Sequence, residues 1–318
     1  MSSRPVETST SDAARAEDPS GLPTGPAQRK ADGLQMIRRV ATSAILIAFI
    51  VLALFRLPVW VFAVTMTVIS ALALYEFFTM VRHRGILIHR PLGVGLGVVF
   101  MALVAWRSLG PGMADAALLG QNATVLNWSW DIFWPATIVL LFLRQFTRQN
   151  TFEALSGLAT TIFGLAYICG LLSYLFYLRA FKTQDGAWLV AYLLLVTKMG
   201  DVGALLIGRT VGRHTLIPRI SPRKTIEGFV GGVLASAVTG ALAAPMVSQF
   251  QGSILIGAVA GLVLGIFGQL GDLAESLLKR DCQVKDSAKL LPGLGGILDV
   301  IDSVLFTAPL FYGFLIYG

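Results

Sequence analysis

From Ile37 onward the chain alternates apolar segments of transmembrane length with short polar stretches. That pattern leaves few folds open. Backbone N–H and C=O groups in hydrocarbon have no water to bond, so a spanning segment must satisfy them itself, which a helix of about 20 residues does. Nine segments qualify: 37–55, 58–80, 91–109, 130–146, 153–179, 187–208, 227–249, 253–278 and 299–317. The fourth has the shortest apolar core. Pro58, Pro91 and Pro135 fall near helix starts, where a missing N–H leaves no bond unmade. Only 14% of residues are charged, against about 25% in soluble domains. The fold class expected is an all-α integral membrane protein with nine transmembrane helices.

Residues 1–33 are rich in Ser, Thr, Pro, Ala and charge, without apolar periodicity. They are expected to form a disordered cytoplasmic tail, with 34–318 as one polytopic membrane catalytic domain. The first apolar run begins too late for a signal peptide, and no small-residue cleavage pattern follows it.

The basic residues give the bundle a direction. Arg29, Lys30, Arg38 and Arg39 precede the first segment, Arg82, Arg84 and Arg90 follow the second, and Arg144 and Arg148 follow the fourth. Arg209, Arg213, Arg219, Arg223 and Lys224 follow the sixth, and Lys279, Arg280, Lys285 and Lys289 the eighth. The alternate loops hold Arg56, then Arg107, then Arg179 and Lys182, and no Lys or Arg in 248–252. By the positive-inside bias this places the N-terminus and the loops 209–226 and 279–298 in the cytoplasm. The net charge of +7 is thus topological. It forms no basic stripe on a soluble face and argues against a nucleic-acid partner.

Cys169 and Cys282 make neither a disulfide framework nor a zinc site, and His83, His89 and His214 are scattered among basic loop residues. Gly257, Gly261, Gly265, Gly268 and Gly271 line the eighth segment. Small residues at this spacing mean close helix packing, which would hold Asp272 rigidly.

Three constellations carry chemistry. In the first, Asp201 lies inside the sixth apolar segment, one turn after Lys198. A carboxylate placed there costs about 3 kcal/mol, so it marks a structural ion pair or a functional site. The second is Ser221-Pro222-Arg223-Lys224-Thr225-Ile226-Glu227-Gly228. Ser221-Pro222 suits a helix cap, and free N–H groups with Arg223 and Lys224 suit phosphate. In the third, Asp272, Glu275, Ser276 and Lys279 share one helix face, and Asp299 and Asp302 stand three apart at the start of the last helix. Carboxylates on two helices at one membrane surface suit a divalent metal with coordination positions left for phosphate. The bland alternative is charge balance against Lys279, Arg280, Lys285 and Lys289.

The last two constellations together resemble the phosphatidate cytidylyltransferases, or CDP-diacylglycerol synthases. Ser276, Lys279, Arg280, Lys285, Asp286, Pro292, Gly293, Gly295, Gly296, Asp299 and Asp302 follow that family's signature in order and spacing. Upstream, Asp201, Ala204, Gly208-Arg209, Ser221 to Thr225, Glu227-Gly228 and Gly231-Gly232 are similar to it as well. Arg39 and Glu76-Phe77 resemble it weakly. The chain departs at Leu294, where the family has histidine, at Val300, where it has arginine, and at Leu205, where it has tyrosine.

The resemblance implies that CTP and phosphatidate yield CDP-diacylglycerol and pyrophosphate, with Mg²⁺ and room for a second, monovalent cation. It implies Asp272, Asp299 and Asp302 as metal ligands, and Asp272, Asp299, Lys224 and Lys279 as the catalytic set. Ser221, Arg223, Lys224, Asp201, Arg280, Lys285 and Asp286 would bind substrate. A multi-pass protein of the cell's inner membrane, its site facing the cytoplasm, follows; a homodimer is compatible with it. A CTP-dependent lipid or polyprenol kinase, an ion-coupled transporter, and a weakly active or inactive paralogue stay open as alternatives.

Overall fold

The computed structural model describes residues 45, 47–109, 132–147, 154–181, 186–284, 287–288 and 295–317. The expected tail, the start of the first helix, Lys285, Asp286 and Leu294 lie outside them. Residues 47–55 are helical (α1). The remaining helices are α2 (Val59–His83), α3 (Arg90–Leu109), α4 (Phe133–Phe146), α5 (Ala154–Arg179), α6 (Gly186–Val211), α7 (Ile226–Leu242), α8 (Ile254–Asp281) and α9 (Ile297–Tyr317).

Six of these, α2, α3, α5, α6, α8 and α9, are long and apolar enough to cross a membrane; α4 and α7 are shorter apolar helices. The chain is a multi-pass membrane protein. α5 changes register midway, with a π-helical turn at Leu165–Gly170. α7 stops seven residues short of the expected 249 and gives way to 3₁₀ turns at Ala244–Met246 and Ser248–Phe250. Pro245 has no N–H to continue an α ladder. Gln251 (φ 50°) and Gly252 (φ 74°) then reverse the chain, and the Ser253 hydroxyl caps α8 by accepting from Ile256 N at 3.3 Å.

The segment expected as a basic loop contains an antiparallel ribbon, β1 (Thr215–Ile217) against β2 (Ser221–Thr225), with Thr215 opposite Thr225. Consequently the cap of α7 is not Ser221. Thr225, at the extended end of β2, accepts from Gly228 N at 3.1 Å instead. Glu227, in the first turn of α7, accepts from Arg213 N (3.1 Å) and His214 N (3.2 Å) and meets His214 Nδ1 at 2.6 Å. The ribbon is thereby tied to the end of α6.

Packing follows the small residues. A Cβ on Gly261 would run into Ala237 Cα and Gly240 Cα of α7. A Cβ on Gly271 would meet Ser303 Cα of α9 at 3.2 Å. The backbones of α8 and α9 therefore touch beside Asp272. Tyr192 of α6 stacks on Phe311 of α9 (5.3 Å between centroids) and donates to Gly257 O of α8 at 2.9 Å. The same hydrophobic core runs on through Phe77, Phe78 and Phe100 and joins α2 and α3 to the bundle.

Candidate active site

The polar ends of α6, α8 and α9 and the ribbon leading into α7 converge, and nearly every described acid expected to matter lies there. Asp272 of α8 forms an ion pair with Lys224 of β2 at 2.6 Å. One turn on, Glu275 is fully buried, and Asp302 of α9 is 5% exposed beside it. Asp272, Glu275 and Asp302 each offer an oxygen within 4.8 Å of the others. Neither oxygen of Glu275 has a well-directed hydrogen bond among the described residues, although Lys279 stands 2.7 Å away as its ion partner.

Asp299 is placed differently. One oxygen meets Lys279 Nζ at 2.8 Å, and the other accepts from Gly296 N (2.7 Å) and Ser287 Oγ (3.0 Å). It is held as an acid of the first helical turn, where N–H groups collect. Lys279 thus lies between Glu275 and Asp299, only 15% exposed, and links α8 to α9.

Asp201 joins the same face through Lys198, whose ammonium meets Asp201 Oδ2 (3.0 Å) and donates to the Val300 carbonyl (2.9 Å) and Ser303 Oγ (3.2 Å). The pair neutralises Asp201, as its helical spacing suggests, and also anchors α6 to α9. The Ser303 hydroxyl donates to Asp201 in turn, at 3.3 Å. Val300 takes part through its main-chain oxygen, which any residue would supply.

Arg280 Nε donates to Ile220 O at 3.2 Å and docks the ribbon against α8. Ser221 is half-buried at the start of β2, and Arg223 is exposed along it.

Two residues carry more than their spacing suggested. Glu275 completes the acid group with Asp272 and Asp302. Glu76, 1% exposed on α2, accepts from Ile297 N (2.8 Å), Leu298 N (2.9 Å) and Ser287 Oγ (3.2 Å). A helix 221 residues away in sequence thus caps α9 and fixes the angle at which Asp299 and Asp302 leave it. Its signal was its isolation, since Glu76 is the sole acid of Val59–His83.

Carboxylates interleaved with lysines thus gather at the polar end of an apolar helical bundle. Residues 37–317 match the cytidylyltransferase family, and the chain belongs to that family of nucleotidyltransferases. It is 33% identical over 305 residues to a phosphatidate cytidylyltransferase of Synechocystis sp., covering 88% of this chain and 96% of that protein. It is 42% identical over 196 residues to the phosphatidate cytidylyltransferase of Staphylococcus haemolyticus, covering 61% and 72%. It is also 32% identical over 276 residues to the uncharacterized protein YnbB of Escherichia coli, covering 82% and 80%.

Proposed function

We propose that this protein is a phosphatidate cytidylyltransferase of phospholipid biosynthesis. A phosphate oxygen of phosphatidate attacks the α-phosphorus of CTP; the bond from that phosphorus to the bridging oxygen breaks, and pyrophosphate leaves. No covalent enzyme intermediate is required. The carrying observation is the convergence of Lys224–Asp272, Glu275–Lys279–Asp299 and Asp302 at one polar end, within a chain of this family.

The reaction gathers negative charge on phosphoryl oxygens, so fixed cations and positioning do most of the work. Lys224 and Arg223 on the ribbon, with Arg280 at its base, supply cations where a nucleotide arriving from water would meet the site. Lys279 pairs with both Glu275 and Asp299 and holds them in place. The donor set fits a hard divalent cation, because three carboxylates lie within 4.8 Å and Glu275 has unfilled acceptor capacity. Asp272, Glu275 and Asp302 would hold Mg²⁺, which supplies charge neutralisation at phosphate oxygens. Asp299 supports this group from Lys279.

Purified protein with labelled CTP, phosphatidate and Mg²⁺ should yield lipid-linked nucleotide and pyrophosphate. Release of CDP with phosphorylated lipid would assign a kinase instead, and CTP binding without turnover an inactive paralogue.

Loop charge supports nine spans, with the N-terminus and the site facing the cytoplasm; the bacterial relatives support the inner membrane. With Cys169 and Cys282 replaced by Ser, cysteines introduced at Ser221 or Arg219 should react with an impermeant maleimide only after permeabilisation. Reaction in intact cells would reverse the orientation.

A further inference from the structure

Tyr167 occupies the third position of the π turn in α5. Such turns appear mostly as single bulges in α-helices, frequently at functional sites. The ring stacks on Phe163 (5.5 Å between centroids, 8° between planes) and meets Phe306 edge-on (6.4 Å). Phe306 lies four residues, about one helical turn, beyond Asp302 on α9.

Tyr167 is 7% exposed, and its buried hydroxyl has no hydrogen-bond partner among the described residues. Its electrostatic neighbours are the carboxylates of Glu275, Asp302 and Asp272. Phenylalanine would pack equally well and would avoid burying an unmet donor, which is costly. A ligand oxygen at the acid group would give that proton a partner.

We propose that Tyr167 contacts substrate, its hydroxyl donating a hydrogen bond to a phosphate oxygen of the lipid. The setting of the ring selects lipid over nucleotide. Lys224 reaches Asp272 from the polar ribbon, whereas Tyr167 is set in apolar packing, against Phe163 of its own helix and Phe306 of α9, the surroundings that suit a lipid rather than a nucleotide. This rests on the phosphatidate cytidylyltransferase reading.

The test is Tyr167→Phe in the full chain, purified in detergent. Without ligand, the variant should melt at the parental temperature or above, since an unmet buried donor has been removed. KM for phosphatidate should rise about tenfold, the size expected for one hydrogen bond to a charged group. KM for CTP and the Mg²⁺ midpoint should stay parental. The melting shift induced by phosphatidate alone should shrink, and that induced by CTP should not.

Unchanged lipid parameters would overturn the assignment. So would a change confined to CTP or Mg²⁺. A lower ligand-free melt, or failure to fold, would also overturn it, because the hydroxyl would then have a protein partner. If the parent protein makes no lipid-linked nucleotide, the functional reading fails by itself. The phosphatidate-induced melting shift, compared between parent and variant, still decides the role of Tyr167.

Discussion

Changing Asp302 to Asn is expected to cut turnover about 10²–10³-fold and leave the fold as stable as before. Asp302 is buried, with oxygens of Asp272 and Glu275 within 4.8 Å. Lys224 and Lys279 already pair with Asp272 and Glu275, whereas Asp302 adds a carboxylate with no ion partner among the described residues. Asn keeps the shape and removes one negative charge, so the metal-free protein loses repulsion while the site loses a ligand. The melting temperature should hold or rise, and the Mg²⁺ concentration for half-maximal rate should increase. Asp272→Asn should behave alike in turnover, although it also strands Lys224, whose ion partner it is. Asp281→Asn is the control, because Asp281 pairs with Arg84 at the exposed end of α8. Its turnover should stay within about twofold, since exposed pairs contribute little. Parental turnover and metal dependence in Asp302→Asn would make the acid group structural.

The bundle was legible because its dominant constraint, backbone satisfaction in hydrocarbon, acts on single segments. The helix boundaries expected from hydropathy accordingly fall near those observed, except where Pro245 ends α7 early. The ribbon was not legible. Ser221-Pro222-Arg223-Lys224-Thr225 is polar, contains proline and has no alternating pattern, so its pairing with Thr215–Ile217 is decided by the docking of Arg280 and Glu227.

The acid group was half legible. Helical spacing set Asp272 and Glu275 on one face of α8. Spacing could not say which acid of α9 would join them, since residues three apart differ by about 60° around a helix. The helix N-terminus decided it. Asp299, in the first turn, is drawn to Gly296 N and Lys279, and Asp302, one turn inside, remains to face α8. Glu76 and Tyr167 come in from α2 and α5 through tertiary packing, and of the two only Glu76, the sole acid of its helix, stood out in the sequence.

Lys279→Met should show the largest loss of stability. Lys279 is the cation shared by Glu275, 1% exposed, and Asp299, 17% exposed. Met fills a similar volume, so the change is one of charge. Two carboxylates are then left close together in an apolar setting, and Glu275 has no other ion partner among the described residues. Removing one side of a buried pair typically costs about 3–5 kcal/mol, because the remaining charge stays desolvated. The variant should melt well below the parent in detergent and make little product. A second substitution separates this cause from lost packing. Asp299→Asn added to Lys279→Met removes one stranded charge and should recover part of the melting temperature, a coupling that a double-mutant cycle measures directly. Activity should not return with it, since Lys279 also aligns α8 with α9. If the double variant melts no higher than Lys279→Met alone, the ion pair is not what holds these helices together, and the packing of Gly271 on Ser303 must carry that contact.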